Sequence, residues 1–467
     1  MKKYLLVLIC LFFLITRLYK IGEIPVSVYW DEASIGYNAY SIAETGTDEW
    51  GEVFPVHFRA FGEFKLPVYI YATALSIKLF GLNEFAVRLP AVLFSLGVVI
   101  IIYFLARRLS GSATMGLLAS FFFSVSPWYF IFSRTGYEAT AGLMFYLLAL
   151  YLFLEHNRNR WYLLLSTVSF IFSAYSYNSF RLLIPITILI LFLYEMRNLK
   201  AFIKVNSIPL TLSVIFLTIS IIPIYRLYVY DAGISRFQAV GTTSSTFIQN
   251  YLSHFSPDFL ILRGDKNLRS QQAGFGQLYL PELILLPLGF LYMVKSKSKY
   301  RLLPLALLLL GSIPAALTKE SPHALRAISM VPFISIISAV GIATLCQLTR
   351  KKNYIILTVI IIFLAFFANY FRSFLNTYPA KSVTDWQYEY KKIYTDFGDR
   401  FDKYNRILIS DKYAQPYIFA LFYLKYDPKS FRQEVIRNSV DQWGFSTVQK
   451  FGKFEFGKSP ELIIFER

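Results

Sequence analysis

The sequence predicts a mainly helical membrane protein that crosses the bilayer many times and ends in a small α/β domain. Three observations predict this class. Of the 467 residues, 55% are hydrophobic and only 16% are charged, and the mean hydropathy is +0.47. Apolar runs of near-spanning length recur along the chain, and basic residues collect in alternate loops. Because a soluble fold could not bury this much apolar surface, the composition excludes a cytosolic enzyme, a secreted disulfide scaffold and a disordered chain.

The first apolar run follows Lys2 and Lys3 and resembles a signal peptide. No small-residue cleavage site follows it, so we predict an uncleaved first helix. A further apolar stretch, 66–80, is short and predicts a helix at the membrane interface. A span needs roughly 20 apolar residues, and on this basis we expect about eleven transmembrane helices. Their positions are 4–20, 84–106, 112–127, 138–154, 161–177, 180–196, 207–228, 277–294, 302–317, 326–347 and 353–372.

Basic residues mark alternate loops. If Met1 is cytoplasmic, the inner loops carry sixteen bases, opposed nearby only by Glu155 and Glu195, which accounts for +14 of the net charge of +18. The positive-inside rule then places the N-terminus in the cytoplasm and the C-terminus outside the plasma membrane. No single face collects the charge, so we expect no nucleic-acid partner. The bases are Lys2, Lys3, Arg107, Arg108, Arg158, Arg160, Arg197, Lys200, Lys204, Lys295, Lys297, Lys299, Arg301, Arg350, Lys351 and Lys352.

The outer segments are long. They include the first loop, 21–83, and a later loop, 229–276. We divide the chain into a membrane domain, 1–374, and an extracytoplasmic α/β domain, 375–467. The expected elements of the second domain are helices at 384–401 and 416–425 and strands at 406–411 and 462–466.

The motifs of soluble enzymes are missing from the sequence, which has no Walker loop, no dinucleotide GxGxxG and no HExxH. Cys10 and Cys346 lie in apolar runs and predict packing rather than a disulfide. His254 and His323 lack zinc spacing, so we expect no metal cofactor. The inner loops are too short for a site, and nucleotides are scarce outside the cell. An enzyme there needs an energy-rich substrate that arrives in the membrane, such as a lipid-linked phosphate.

The first outer loop carries the strongest candidates. Asp31 and Glu32 open a helical pattern, where carboxylates serve either as caps or as a general base near the membrane plane. Lys65 suits a phosphate but could also simply snorkel. Arg88 either pairs with Glu84, four residues before it, or recognises a phosphate.

Later segments add weaker candidates. Arg134 either pairs with Glu138 or contacts the donor phosphate, and His323 and Arg326 are further possible phosphate ligands. Charged residues at a membrane edge are costly unless they serve a function, so we expect these residues to form an outward-facing ring. Possible substrate ligands in this ring are Tyr177, Arg181, Asp258, Arg263 and Asp265.

Five motifs follow one another along the chain: the DE pair at 31–32, GEFKLP at 62–67, FAVRLPA at 85–91, SPWYFIFSR at 126–134 and PHALRA at 322–327. In this order they resemble the bacterial branch of the GT-C glycosyltransferases, which includes protein O-mannosyltransferases and the aminoarabinose transferase of lipid A. The similarity covers roughly residues 1–347. Leu66 departs from the family, because many relatives have Lys-Pro-Pro where this chain has Lys65-Leu66-Pro67.

The resemblance implies a GT-C fold, a polyprenyl-phosphate sugar donor, an extracytoplasmic site, inversion at the anomeric carbon and no nucleotide. It implies that Asp31 is the catalytic carboxylate and Glu32 its acidic neighbour. It also implies that Lys65 contacts the donor phosphate and that Arg88 is the arginine of the RLP motif. Asp31 would take the proton of the acceptor hydroxyl, and a phosphate leaving group requires no general acid.

The acceptor stays open, and a lipid, a glycan or a protein would each serve. A transporter or flippase of lipid-linked sugars is an alternative, but it should carry charges at mid-span depth and an internal repeat. A polysaccharide polymerase or ligase is a second alternative, which shares the donor type and differs only in the acceptor.

Overall fold

The computed structural model describes residues 2–61, 63–230, 241–242, 244–347, 351–439 and 446–466. Some predictions fall partly outside these ranges. They concern Gly62 beside Lys65, Arg350 of the basic set, residues 231–240 and 243 of the later outer loop, and the chain ends Met1 and Arg467.

Eleven helical segments follow the predicted spans in order, and each overlaps one of them. Asn83 caps the second segment by accepting the amide hydrogen of Ala86 at 2.9 Å, and Gly111 ends it with a left-handed φ of 70°. The segments are Lys2–Leu18, Glu84–Ser110, Ala113–Val125 with Pro127–Phe130, Ala139–Leu154, Tyr162–Ala174, Asn178–Glu195, Leu199–Tyr230, Glu282–Lys295, Leu303–Gly311 with Ile313–Ala316, Met330–Gln347 and Lys352–Asn376.

Fewer helices have full spanning length than the sequence predicts. Within the described residues, five are long and apolar enough to cross a membrane, or six if the pair bent by 62° at residues 113–134 is one span. The difference arises because the predicted runs include turn residues at their ends. A helix of about 13–17 residues covers only about 20–26 Å, which is less than the roughly 30 Å hydrocarbon core.

The outer segments contain short elements. An antiparallel hairpin pairs β1, Phe58–Arg59, with β2, Phe64–Lys65. The predicted interfacial stretch forms the helix Pro67–Phe80. The helix Trp30–Thr45 carries the DE pair and ends at Gly46, whose φ is 72°. Other short helical elements are Phe132–Arg134, Met196–Asn198, Ser244–Ser253, Asp258–Leu262 and Tyr378–Lys381.

The C-terminal segment forms the predicted α/β unit. Its strands are β3 Arg406–Ser410, β4 Ile436–Arg437, β5 Val448–Phe451, β6 Phe454–Gly457 and β7 Ile463–Glu466, and its helices are Tyr388–Phe397, Gly398–Lys403, Pro416–Tyr423 and Pro428–Glu434. The strands form one sheet in the order β4-β5-β6-β3-β7, with β3 parallel to β6 and antiparallel to β7. The predicted strands correspond to β3 and β7, whereas β4, β5 and β6 were not predicted.

The C-terminal unit shares a hydrophobic core with the first outer loop. One cluster of buried side chains contains residues of the helix Trp30–Thr45 together with residues of the sheet and of Pro416–Tyr423. Gly36 lies at this contact, and a Cβ there would come within 2.7 Å of the Phe422 ring and 2.8 Å of Val87. A glycine is therefore required for this close approach. The boundary drawn at residue 374 divides the sequence but does not separate two independent cores.

Polar contacts sort the loops into the two faces that the charge pattern predicts. On the predicted inner face, Glu155 pairs with Arg108 at 2.9 Å, and Glu195 pairs with Lys299 at 2.7 Å. Predicted outer segments contact one another, as the hydrogen bond from the Leu66 amide to Glu138 at 3.2 Å shows. The end of the first helix and the C-terminal unit both belong to this outer set. Which face is cytoplasmic stays a prediction.

Candidate active site

Asp31 and Lys65 meet on the face that the charge pattern predicts to be extracytoplasmic. Lys65 Nζ lies 2.6 Å from Asp31 Oδ1 and 3.3 Å from Glu63 Oε1. The Lys65 side chain is 4% exposed, whereas that of Asp31 is 28% exposed. Burial acts to lower the pKa of Lys65, but the carboxylates of Asp31, Glu63 and Glu138 outweigh it and raise that pKa above its usual value. The result is a permanent cation beside a carboxylate that solvent can reach.

Glu32 has a different environment from its neighbour. It is 1% exposed, and the Arg88 guanidinium donates to both of its oxygens, at 3.1 and 3.2 Å. The Gly136 amide donates to Glu32 Oε1 at 2.6 Å, and a Cβ at Gly136 would lie 3.2 Å from Glu32 Cγ. The Tyr29 amide donates to Glu32 Oε2 at 3.4 Å, so Glu32 also caps its own helix. These hydrogen bonds therefore hold the Glu32 side chain in one position.

Arg88 has no free donor for a phosphate. Besides Glu32, its guanidinium donates to the carbonyl oxygens of Ile21, Pro25 and Ser27 at 2.6 to 3.0 Å. The side chain is fully buried. This arrangement differs from the predicted phosphate contact, because every N–H of the guanidinium already has an acceptor. The alternative pair with Glu84 is also not observed, since Glu84 binds Lys391 at 2.9 Å.

Arg134 also binds backbone groups in the protein interior. Its guanidinium donates to the carbonyl oxygens of Thr16, Arg17 and Tyr19 at 2.7 Å and to that of Ile24 at 3.3 Å. It therefore closes the end of the first helix rather than reaching a donor phosphate or Glu138. Arg17, which the sequence analysis did not single out, is also fully buried and donates to Ser133 Oγ and to the Ser124 carbonyl.

Arg269 is a cation at the site that the sequence analysis missed. Its guanidinium lies 3.6 Å from the centre of the Tyr29 ring, and the charge of Asp31 lies close enough to favour its protonated form. Burial acts to lower the pKa of Arg269, but Tyr137, Tyr29 and Asp31 together raise it. Arg269 is the last residue of the run HFSPDFLILRGDKNLR, 254–269, and only the path of the long loop brings it to the first loop.

Four helices begin around this site. The DE pair opens Trp30–Thr45, Lys65 precedes Pro67–Phe80, Arg88 lies one turn into Glu84–Ser110, and Glu138 precedes Ala139–Leu154. Helix N-termini carry a partial positive charge and favour anions. The helix ends therefore add to Lys65 and Arg269 in making the site attractive to a phosphate.

A second group of candidates fixes loops. Asp265 accepts the amide hydrogens of Ala324 at 2.8 Å and of Asn267 at 2.9 Å. His254 Nε2 accepts the amide hydrogen of His323 at 3.1 Å. Arg326 donates to Thr318 at 2.8 Å. Burial raises the pKa of Asp265 and lowers that of His254. We call His254, Asp265, His323 and Arg326 the late-loop cluster.

The remaining candidates are divided between the site and the surface. The charges of Arg326, Glu138 and Glu63 act on the Tyr177 hydroxyl, so Tyr177 lies between the late-loop cluster and the site around Asp31. Arg181 contacts His57 at 3.2 Å and the Tyr228 hydroxyl at 3.4 Å, away from Asp31.

Asp258 and Arg263 form an exposed local pair, which the structure does not bring to the site. In the part of the chain that the structure describes, no group of three His, Cys, Asp or Glu residues is placed to hold a metal ion.

The comparisons with known proteins agree with this architecture. Residues 65–225 match the model of the family described as dolichyl-phosphate-mannose-protein mannosyltransferase. The structure of ArnT from Cupriavidus metallidurans bound to undecaprenyl phosphate is similar, with a TM-score of 0.61 at 12% identity over 90% of this chain and 84% of that one. The chain has the GT-C fold. The apo ArnT structure gives a TM-score of 0.58 at 13% identity, with the same coverage.

A second GT-C protein shares the architecture over part of its length. The oligosaccharyltransferase AglB from Archaeoglobus fulgidus, in complex with an inhibitory peptide and a dolichol-phosphate, has a TM-score of 0.52 at 12% identity. The match covers 90% of this chain and 63% of AglB. A sequence comparison with curated proteins gave no match. The GT-C resemblance and the polytopic helical fold predicted from the motifs are confirmed, and the chain is a multi-pass membrane protein.

Proposed function

We propose that the protein is a membrane glycosyltransferase that moves a sugar from a polyprenyl-phosphate donor to an acceptor hydroxyl on the extracytoplasmic face. The observation that carries this proposal is the pair of Asp31 and Lys65, a solvent-reachable carboxylate 2.6 Å from a buried cation. Inverting glycosyl transfer needs a base for the acceptor hydroxyl and a group that stabilises the leaving phosphate, and this pair offers both.

The sequence family and the folds of ArnT and AglB support the donor class. The ArnT structure holds undecaprenyl phosphate and the AglB structure a dolichol-phosphate. In this chain the donor phosphate would lie against Lys65 and Arg269, in the field of the four helix N-termini. Arg269 stands where the sequence predicted Arg88, because every N–H of the Arg88 guanidinium already has an acceptor and both terminal nitrogens of Arg134 bind backbone carbonyl groups.

The proposed reaction is one displacement at the anomeric carbon. The acceptor oxygen forms a bond to this carbon as the bond to the phosphate oxygen breaks, and the acceptor proton passes to Asp31. The polyprenyl phosphate leaves as an anion, whose growing charge Lys65 and Arg269 stabilise more strongly than the ground state. Attack opposite the leaving group inverts the anomeric centre. Arg88 and Gly136 hold Glu32, and thereby the helix turn that presents Asp31.

The decisive experiment supplies purified protein in nanodiscs with defined polyprenyl-phosphate sugars and candidate lipid, glycan and peptide acceptors. Mass analysis of the released lipid and of each acceptor reads both halves of the reaction. We expect release of polyprenyl phosphate coupled to a glycosylated acceptor. Movement of the intact donor between leaflets without cleavage would contradict the proposal and favour a transporter.

The orientation has a separate test. A reporter fused after Arg467 should be active only outside the cytoplasm, because the C-terminal unit contacts the same face as Asp31. A reporter active in the cytoplasm would place the site on the inner face.

A further inference from the structure

The C-terminal unit reaches the helix that carries Asp31 through one side chain, Gln387. The Trp30 amide, directly before Asp31, donates to Gln387 Oε1 at 3.1 Å. Gln387 Nε2 donates to the carbonyl oxygens of Tyr413 and Ala414. Gln387 therefore joins the first turn of the catalytic helix to a loop that follows β3 of the C-terminal sheet.

The chemistry of this contact requires an amide. The Trp30 N–H is one of the donors that a helix N-terminus leaves without an intrahelical partner, so it needs an acceptor. The two carbonyl groups need a donor, and a glutamine side chain supplies both functions in one orientation. Gln387 is 3% exposed, so water has little room to replace it.

The backbone around this contact is held in a costly conformation. Six non-glycine residues in the described ranges have a positive φ, and three of them meet here. They are Gln387 at 51°, Ala414 at 62° and Gln415 at 51°. L-residues adopt this region only when their surroundings enforce it. Such concentration at one contact indicates that the fold maintains it against local preference.

The residue before Gln387 supports the other carboxylate. Trp386 is fully buried, and its ring lies 5.9 Å from the guanidinium of Arg88, which holds Glu32. The Trp386 indole donates to the Tyr378 hydroxyl at 2.8 Å. Gln387 thus contacts the backbone directly before Asp31, and Trp386 lies against the arginine that holds Glu32.

We propose that Gln387 is a positioning residue for Asp31, which makes the C-terminal unit part of the active site. This inference rests on the proposed function. A base must be held within a fraction of an ångström of the hydroxyl that it deprotonates. The cap on Trp30 supports the first helical turn in addition to the Glu32 network, and its loss would leave Asp31 free to shift.

The test compares Gln387→Met with variants that loosen the same interface elsewhere. Methionine keeps the length and removes both hydrogen-bonding functions. We expect kcat to fall about tenfold while the KM for the donor stays within about twofold, because the phosphate ligands are untouched. Hydrogen exchange at the Trp30 amide should become faster. Gln387→Glu keeps the acceptor and should recover part of both effects.

Two matched controls remove other bonds between the same parts. Tyr423→Phe removes the bond to Ser27 Oγ at 3.0 Å, and Lys391→Met removes the bond to the Val26 carbonyl at 3.2 Å. We expect both to keep kcat within about twofold and to leave Trp30 exchange unchanged.

Normal kcat in Gln387→Met, or an equal loss in the two controls, would overturn the positioning role. The proposed function fails differently, since wild-type protein would then transfer no sugar. In that case exchange at Trp30 alone still reports whether Gln387 caps the helix.

Discussion

Two polar groups on the outer face use the same residue types in opposite ways. In the first-loop cluster, Asp31, Glu63, Lys65 and Glu138, charged side chains face one another and Asp31 remains open to solvent. In the late-loop cluster, Asp265 and His254 accept backbone amide hydrogens and Arg326 donates to the Thr318 hydroxyl, and these contacts fix residues 318–327. A charge satisfied by other charges can be exchanged for a ligand, whereas one satisfied by backbone amides holds the chain in place.

The same contrast exists within one dipeptide. Asp31 pairs with the Lys65 side chain and is 28% exposed, whereas Glu32 is 1% exposed and is bound by the Arg88 side chain and by the amides of Gly136 and Tyr29. Two adjacent carboxylates that look alike in the sequence therefore have separate roles. Five substitutions test this difference.

Asp31→Asn should have the largest effect on activity. It keeps the shape of the side chain but cannot accept a proton, so kcat should fall about 10²–10⁴-fold. The melting temperature should stay close to that of the wild type, because Tyr29 and Glu32 form the capping box of the helix and Glu63 still pairs with Lys65. Asp402→Asn, an exposed carboxylate bound to Lys453 in the C-terminal unit, is the matched control. Near-normal transfer by Asp31→Asn would remove the base from the proposal.

Arg88→Ala should act on folding before it acts on chemistry. It leaves the Glu32 carboxylate buried without its partner and three carbonyl groups without a donor, which costs about 3–5 kcal/mol. We expect a large drop in melting temperature or loss of folded protein. Arg406→Ala removes an exposed guanidinium bound to Glu455 and Glu466 and should leave the melting temperature nearly unchanged. A stable Arg88→Ala protein with weakened donor binding would restore the role predicted from the sequence.

Lys65→Met should lower the catalytic efficiency with the donor, by a smaller factor than Asp31→Asn lowers kcat. One charged hydrogen bond to a phosphate is worth about 1.5–3 kcal/mol, so kcat/KM should fall roughly tenfold or more. Arg269→Met should have an effect in the same direction. Lys391→Met is the control, since Lys391 is another ion-paired outer lysine, bound to Glu84. Unchanged kinetics in both Lys65→Met and Arg269→Met would show that the phosphate binds elsewhere.

Asp265→Asn should have the smallest effect, because it removes one acceptor from a loop contact. We expect a loss of about 1 kcal/mol in stability and nearly normal transfer.

The pH dependence of Asp265→Asn gives the comparison a second readout. The raised pKa of Asp265 means that the folded state binds this proton more tightly than the unfolded state. Stability from this group is complete below about pH 4, the usual carboxyl pKa, and declines as pH rises through the higher folded pKa. In Asp265→Asn this contribution to the free energy of unfolding should no longer decline as the pH rises. A large loss of transfer in a stable Asp265→Asn protein would move the late-loop cluster into the active site.

The sequence alone determined the helical architecture and the two faces. Apolar runs fix which segments enter a bilayer, and loop charges are local properties that need no tertiary contact to be counted. The motif order also predicted the GT-C resemblance and put Asp31 and Lys65 in one loop, where their ion pair is observed. The β-branched and aromatic runs of β3 and β7 predicted strands, whereas β4 has only two residues and polar residues interrupt the short strands β5 and β6.

Tertiary structure decided which charges are free. Arg88, Arg134 and Lys65 all precede or open helices at the same outer level, so their sequence contexts are alike. Their availability differs because carbonyl groups of the first helix and the first loop, up to 118 residues away in the sequence, bind the guanidinium groups of Arg134 and Arg88. Arg269 and Gln387 reach the site only because the later outer loop and the C-terminal segment fold back onto it. Contacts between distant segments depend on packing of the whole chain, and no local pattern encodes them.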